Sequence, residues 1–422
     1  MVEENCRFKR AGRRWPELAL NLWQTRKDCN DVEWTSLRNL KASYNAGDDV
    51  AEVSWNAYTM YRGDNLLYGG GLYPSLPVLA DEVIAKALEL LNAPEGAGGT
   101  FATGGTESIL LGVRAALQHA HQKRNFSSGM PEIVAPSHVH PAFTKAAKMM
   151  GIKLIRVPIK DYQADVMAMS DAVTDNTFML IGSAHAYPLG HVDPIEGIGA
   201  LAREHDLWMH VDCCLGGFLL PFVVALGNPV PAFDFSVPEV MSISADLHKY
   251  GYTARGASLI LLRDKMCQQY QGFDFDDWPT GAFNTATFSG SRPGGAVASA
   301  WAVMNYLGYD GYLDRTARML EGKRKIITNV EAISGVQLCG DPEGGIIAFE
   351  GEGDHDMFAV RDGMTARGWH TGLVVDPPGF QLLLNYRHGE IADEFSNDLE
   401  DVIRLVKRGR IISNGSDRSY GS

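Results

Sequence analysis

Lys249 follows His248 in Ser244-Ala-Asp-Leu-His-Lys-Tyr-Gly-Tyr252, just past the apolar run Val240-Met-Ser-Ile-Ser. A lysine at a strand exit can be a solvated surface residue. It can also be an amine that condenses with an aldehyde to give an imine. Pyridoxal phosphate (PLP) is a cofactor that needs such an amine. The same chain holds the other groups this cofactor requires. Thr103-Gly-Gly-Thr-Glu-Ser108 places Gly104 and Gly105 before a helix, so backbone N–H groups at the helix start could receive a phosphate. Thr106 could cap that helix and touch the same phosphate. Asp212 ends Leu207-Trp-Met-His-Val-Asp. A carboxylate there can be a turn residue, or it can pair with a protonated pyridine nitrogen and keep the ring an electron sink. His140 precedes Pro141 in Ser137-His-Val-His-Pro-Ala-Phe143. At such a junction an imidazole can be structural, stack on an aromatic ring or carry a proton, and His138 competes for each role. His210 and Asp212 share a strand face and could ligate a metal, but no third ligand is evident. Ser289-Gly-Ser-Arg-Pro-Gly-Gly295 is a polar loop that reads either as a surface turn or as part of the site.

The elements that must carry these groups alternate. Short apolar runs, Ile133-Val-Ala, Leu154-Ile-Arg-Val, Phe178-Met-Leu-Ile, Leu207 to Val211, Val240 to Ile243 and Ala257 to Leu262, read as strands. Helical stretches at Thr106–Gln122, Pro141–Met150 and Ile195–His205 lie between several of them. Alternation of this kind predicts an α/β fold with a mostly parallel, buried sheet. Ligands in such sheets bind at the carboxyl ends of the strands, and the candidate groups fall there in the order Gly-Gly-Thr, His, Asp, His-Lys. After Gly295 a long helical region runs to about Ile333. Strand-like Gly345 to Phe349, a helix near Met357–Arg367, a strand near Phe380 and a last helix to about Lys407 follow. The expected division is an N-terminal arm over 1–75, a large PLP-binding domain over 76–305 and a smaller α+β domain over 306–422.

Composition sets the outer limits. The chain has 422 residues, 45% hydrophobic and 21% charged, enough for a large core and more than one domain. A net charge of -13 argues against nucleic acid or an anionic membrane as partner. Arg7, Lys9, Arg10, Arg13 and Arg14 are not followed by an apolar segment, so no secretory signal is expected. Gly216 to Leu226 is the most apolar stretch, but Pro221 breaks it and it is too short to span a bilayer. Cys6, Cys29, Cys213, Cys214, Cys267 and Cys339 form neither a disulfide framework nor a zinc pattern, which suits a reducing, cytoplasmic setting.

Thr103 to Leu110, His140 to Ala147, His210 to Phe218, Ser242 to Tyr252 and Gly290 to Gly295 together resemble the group II PLP-dependent decarboxylases. Leu-Gly-Gly-Phe after Asp212 and His-Lys-Tyr-Gly-Tyr are most similar to the sphingosine-1-phosphate lyase branch. The resemblance implies a PLP-dependent transferase-like fold, fold type I, and a homodimer with shared active sites. It implies that Lys249 holds PLP, Asp212 pairs with the pyridine nitrogen and His140 stacks on the ring. Gly104, Gly105, Thr106 and His248 would bind the cofactor phosphate, Ser183 and Ala184 would lie under the other ring face, and Gly290 and Ser291 would reach the neighbouring subunit's site. Three places differ from the branch. Arg255 stands six residues after Lys249 where a second lysine is usual, Asn65-Leu-Leu-Tyr68 replaces Asn-Pro-Leu-His, and the segment around Ser54 has no clear match.

The activity these features imply is a carbon–carbon lyase. It would cleave a phosphorylated β-hydroxy amine by retro-aldol chemistry, with Lys249, His140 and Tyr68 as candidate proton carriers. Arg255, Asn65 and Tyr68 would face the small-molecule substrate, Arg255 through its phosphate. The rival activity is α-decarboxylation of an amino acid; Arg387 or Arg292 binding a carboxylate would favour that or aldol chemistry on amino acids. A non-catalytic relative is a third class, and loss of the lysine or aspartate would be its mark; both are present.

Overall fold

The computed structural model describes residues 12–123, 126 and 129–413. The first part of the expected arm, with Cys6, Arg7, Lys9 and Arg10, lies outside the described residues.

Seven strands form the large sheet. Across it the order is Gly98–Ala102, Ser258–Leu262, Val240–Ala245, Trp208–Asp212, Thr177–Ser183, Glu132–Pro136, Lys153–Val157. Val240–Ala245 and the four strands beyond it are mutually parallel. Ser258–Leu262 runs antiparallel to both its neighbours. Most of these strands are buried along their whole length, as their β-branched and leucine-rich sequences require. Successive side chains face opposite layers. Val134, Leu180 and Leu261 enter the core that contains Ile195 and Ile198, whereas Ile133, Ile181 and Ile260 enter the one with Ile109, Leu111 and Phe143. Helices Gly105–Lys123 and Pro141–Met150 thus cover one face and Ile195–Glu204 the other.

The expected strands and helices of this region are present. The exception is Gly98–Ala102, an edge strand whose two glycines hide it from pattern reading. A second, five-stranded sheet has the order Asn39–Leu40, His370–Val374, Gly379–Leu383, Ile346–Gly351, Val336–Leu338. The N-terminal segment therefore lends a strand to the C-terminal sheet, with Leu40 fully buried. Helix Asp48–Met60 runs against the long helix Gly294–Glu331, where Ser54 Oγ and Ser299 Oγ lie 2.8 Å apart. Helix Trp15–Asp28 buries none of its residues and exposes Trp15, Leu20, Leu22 and Trp23. The long helix is broken at Gly308, at φ 55 and ψ -174. We propose that the large and small domains divide near this break, which lies two residues beyond the expected start at 306. Among the described residues no helix is long and apolar enough to cross a membrane.

The turn after Ser183 ties the two sheets together. Ala186 N–H donates to His191 O at 2.8 Å and Gly190 N–H to Ala186 O at 2.9 Å. Gly190 sits at φ +84, and a Cβ there would overlap the carbonyl of Ile346, the first residue of a small-sheet strand. Gly227 has a similar φ of +78 but open space around it. Alanine at Gly227 should cost about 1–2 kcal/mol for its left-handed backbone alone. Alanine at Gly190 should cost clearly more, read as the shift in urea unfolding midpoint. Equal losses would mean that the contact with Ile346 is not tight.

Candidate active site

Three adjacent parallel strands end at one level. Ser183, Asp212 and Ser244 pair across the ladder. The pairing continues one step further, with Ala184 N–H donating to Asp212 O and Cys213 N–H to Ser244 O, both at 2.9 Å. A cavity of about 240 Å³ opens at these ends. It brings together Gly105, Thr106, His140, Ser183, Asp212, His248 and Lys249, all expected from the sequence. It also recruits Ile109, His185, Tyr187, Cys214, Leu215 and Asp246, which were not expected.

Asp246 governs the charge of the site. Lys249 Nζ lies 3.0 Å from its Oδ2. Burial by itself would lower the lysine's pKa, but the Asp246 carboxylate overrules it and holds the ammonium well above its usual range. Burial would likewise raise Asp246, and Lys249 with His248 holds it below the ordinary carboxylate value instead. An amine must be neutral to condense with an aldehyde, so this ion pair is a resting state that a ligand displaces.

Burial favours the neutral form of His140 and His248. His140 caps helix Pro141–Met150, and its Nδ1 accepts the Ala142 N–H at 3.2 Å. Burial lowers its pKa more than the nearby Asp212 raises it. With Nδ1 accepting, the ring proton is assigned to Nε2. His248 Nδ1 accepts the Ala257 N–H at 3.3 Å, and burial lowers its pKa too. Asp212 Oδ1 accepts the Cys214 N–H at 3.0 Å, which fixes the carboxylate and leaves Oδ2 for a cationic ring nitrogen.

The helix start is built differently from expectation. Glu107, not Thr106, makes the cap: its carboxylate accepts from Thr103 N–H and Thr103 Oγ at 2.7 Å each and from Ser289 N–H at 2.8 Å. The first helical bond runs from Ser108 N–H to Gly104 O, so the N–H groups of Gly105, Thr106 and Glu107 have no helical acceptor. A Cβ on Gly105 would lie 2.7 Å from Asp246 Oδ2 and 3.0 Å from Cys214 Sγ, and one on Gly104 would be 3.6 Å from His248 Cε1. Only a glycine at 105 leaves this wall open. The donor set fits PLP: an amine for its aldehyde, a carboxylate for its ring nitrogen, a flat imidazole, and a glycine-opened helix start for its phosphate.

The comparisons with known proteins bear on the same set. The pyridoxal-dependent decarboxylase conserved domain matches residues 63–351. The chain belongs to the pyridoxal-dependent decarboxylase family. As a member it is a PLP-dependent lyase. It is 38% identical to the sphingosine-1-phosphate lyase of Oryza sativa over 87% of this chain and 68% of that relative. With a probable L-aspartate decarboxylase of Pyrococcus abyssi it shares 32% identity over 84% of this chain and 89% of that one. A solved sphingosine-1-phosphate lyase from Burkholderia pseudomallei superposes with a TM-score of 0.90 at 33% identity, covering 96% of this chain and 94% of the other. The fold of Lactobacillus brevis glutamate decarboxylase is similar as well, with a TM-score of 0.79 at 21% identity and 96% of each chain covered.

Other expected residues of this family member stand away from the Lys249 cavity. Arg255 lines an adjoining cavity of about 530 Å³ that shares His248. Its guanidinium lies over Tyr44 at 5.6 Å and donates to Ala42 O at 3.3 Å. Asn65 Nδ2 donates to Ser291 Oγ at 2.9 Å, and Tyr68, beside it, is half exposed. Gly290 lies on another surface pocket, with Phe283. Arg387 is held by Glu390 at 2.9 Å through two nitrogens, and Arg292 donates to Phe101 O at 3.0 Å; neither lines the cavity. His138 and Asp193 form a buried pair at 3.1 Å, so His138 does not compete with His140. His210 Nδ1 is taken by Ser242 Oγ at 2.7 Å rather than directed at a metal. Asp246 had a readable signal, an acid three residues before the lysine, whereas His185 and Tyr187 had none.

Replacing Asp246 tests the ion pair. In Asp246→Asn the burial penalty on Lys249 loses its largest opponent, so its pKa falls. The pH at which the cofactor-free protein captures PLP half-maximally should then move down. A stopped-flow pH profile reads this directly, and an unmoved midpoint would remove Asp246 from the role.

Proposed function

We propose that this chain cleaves a phosphorylated long-chain β-hydroxy amine such as sphingosine 1-phosphate between Cα and Cβ, giving an aldehyde and a phosphorylated amine. The likeness to the Burkholderia sphingosine-1-phosphate lyase over nearly the whole of both chains carries the reading. The positions of Arg387 and Arg292 support it, since neither offers a buried carboxylate site at Lys249. The likeness to the Pyrococcus protein keeps amino-acid α-decarboxylation as the second reading.

PLP, when bound, supplies the electron sink for the carbanion left at Cα. Asp212 keeps the ring nitrogen cationic through its fixed carboxylate. His140 offers a flat neutral wall with its proton on Nε2. Gly104, Gly105, Thr106 and His248 hold the cofactor phosphate, and Ser183 supports the opposite side. Lys249 would hold the cofactor's aldehyde, and as a free neutral amine it could accept the hydroxyl proton of the substrate. Asp246, 3.0 Å away, stabilises the ammonium so formed.

Arg255 takes the substrate phosphate from the adjoining cavity, where a bidentate guanidinium suits it. Tyr68, Asn65, Gly290 and Ser291 act across a subunit boundary in a homodimer. The exposed Trp15, Leu20, Leu22 and Trp23 of the first helix support such a partner. The unpaired Cys29, Cys213, Cys214, Cys267 and Cys339 suit a cytoplasmic setting.

Incubation with sphingosine 1-phosphate and, separately, with common amino acids distinguishes the readings. Aldehyde without carbon dioxide is expected; carbon dioxide without aldehyde would replace this reading with the second. Lys249→Ala should leave no borohydride-fixed pyridoxyl adduct and lower kcat by about 10³-fold or more.

A further inference from the structure

His185 is the second residue beyond strand Thr177–Ser183, whose last residue pairs with Asp212. It lines the cavity of Lys249, Asp212 and His140. The ring is almost wholly buried, and neither Nδ1 nor Nε2 has a hydrogen-bond partner. The Ala186 backbone lies close to it, but outside hydrogen-bond geometry. Other buried histidines are anchored: His191 Nε2 to Cys339 O at 2.7 Å, His210 to Ser242, and His388 Nδ1 to Asn385 N–H at 2.9 Å. Folded proteins rarely leave buried polar atoms unmatched, so two on a cavity wall point to a partner that arrives with a ligand. Gly344 of the small sheet's entry loop abuts the ring so closely that a Cβ there would overlap Cδ2. The ring is thereby wedged where it stands.

The chemistry of the missing partner can be narrowed. Lys249, Asp212 and the helix start with His248 already answer an aldehyde, a ring nitrogen and a phosphate. Two hydroxyls are left, that of the cofactor ring and that of the substrate, and the preference between amines with and without a hydroxyl tells them apart. Burial above all, with Lys323 and Lys249 nearby, pushes the pKa of His185 down to about 3. The ring is therefore neutral and presents one donor and one acceptor. A hydroxyl is complementary to that pair, whereas a carboxylate offers only acceptors.

We propose that His185 binds the hydroxyl on the carbon next to the amine-bearing carbon of the substrate, and so selects hydroxylated amines. The inference rests on the lyase reading above. Its test uses holoenzyme, wild type and the variants His185→Phe, His185→Gln and His185→Asn. Cofactor loading of each is checked by borohydride fixation on Lys249. Dissociation constants for sphingosine 1-phosphate and its 3-deoxy analogue are read from the absorbance of the bound cofactor before the first turnover. Wild type should prefer the hydroxylated amine. His185→Phe should lose about threefold to tenfold of that preference, the size of one neutral hydrogen bond, by weakening the hydroxylated amine alone. His185→Gln, which keeps a donor and an acceptor, should retain part of it. An unchanged preference, or equal weakening of both amines, would overturn the inference and leave the lyase reading standing. Failure of wild type to bind either amine would overturn both. Failure of all three variants to load cofactor would assign His185 to the fold or the cofactor instead.

Discussion

The register of three parallel strands is the constraint on which the site depends. Ser183, Asp212 and Ser244 pair across neighbouring strands, and the ladder closes one residue later through Ala184 and Cys213. A slip of one residue in any strand would send its side chains to the opposite layer. Asp212 would then leave the cavity for the core, and the following turns would lose their level. Alternate residues of each strand fill two separate cores, so such a slip is resisted by the whole sheet. Binding at the carboxyl edge follows from this geometry, because there the chain is free to turn and the helix Gly105–Lys123 begins.

Charge inside that edge is arranged around one carboxylate. Asp246 holds Lys249 as an ammonium, while burial keeps His140, His185 and His248 neutral beside it. Adding protons to those rings would crowd cations about Lys249. Their neutrality leaves Lys249 as the cation of the cavity, paired with Asp246. The cysteine thiols follow the same logic. Burial pushes Cys213 and Cys214 well above their usual pKa, so neither competes as a nucleophile.

Much of this was legible in the chain, for identifiable reasons. Buried parallel strands read as continuous apolar runs, and Pro141 marked both a helix start and the residue ahead of it. Gly104 and Gly105 stood out as a glycine pair directly ahead of a helix pattern. What escaped reading depended on distance in sequence. Strand His370–Val374 and the pairing of Leu40 with Thr371 join segments more than three hundred residues apart. The cap on the first site helix was misassigned to Thr106, since Glu107 could be seen to reach Thr103 and Ser289 only in three dimensions. Arg255, expected to face the substrate, lies not in the Lys249 cavity but in the adjoining one, with its guanidinium over Tyr44 from the N-terminal segment. His185 lacked any pattern. Its meaning comes from the absence of partners on both nitrogens, which only a fold reveals.

The small sheet enters the site through residues that have no side chains. Gly344 lies against His185 and Gly345 against the hydroxyl of Tyr250, the residue after Lys249. Tyr250 in turn donates to Leu384 O at 2.9 Å, just past the strand Gly379–Leu383. Leu384 N–H donates to Gly345 O at 2.8 Å, closing the connection. A side chain at either glycine would push the loop outward and loosen both neighbours of the cavity at once. The lysine and the ring of His185 are thus held from behind by one backbone connection between two strands of the other sheet. A lysine at the edge of the seven-stranded sheet is positioned so firmly because the second sheet is packed against its neighbour Tyr250. The two sheets therefore act as a single support for the chemistry, although they fold from distant parts of the chain.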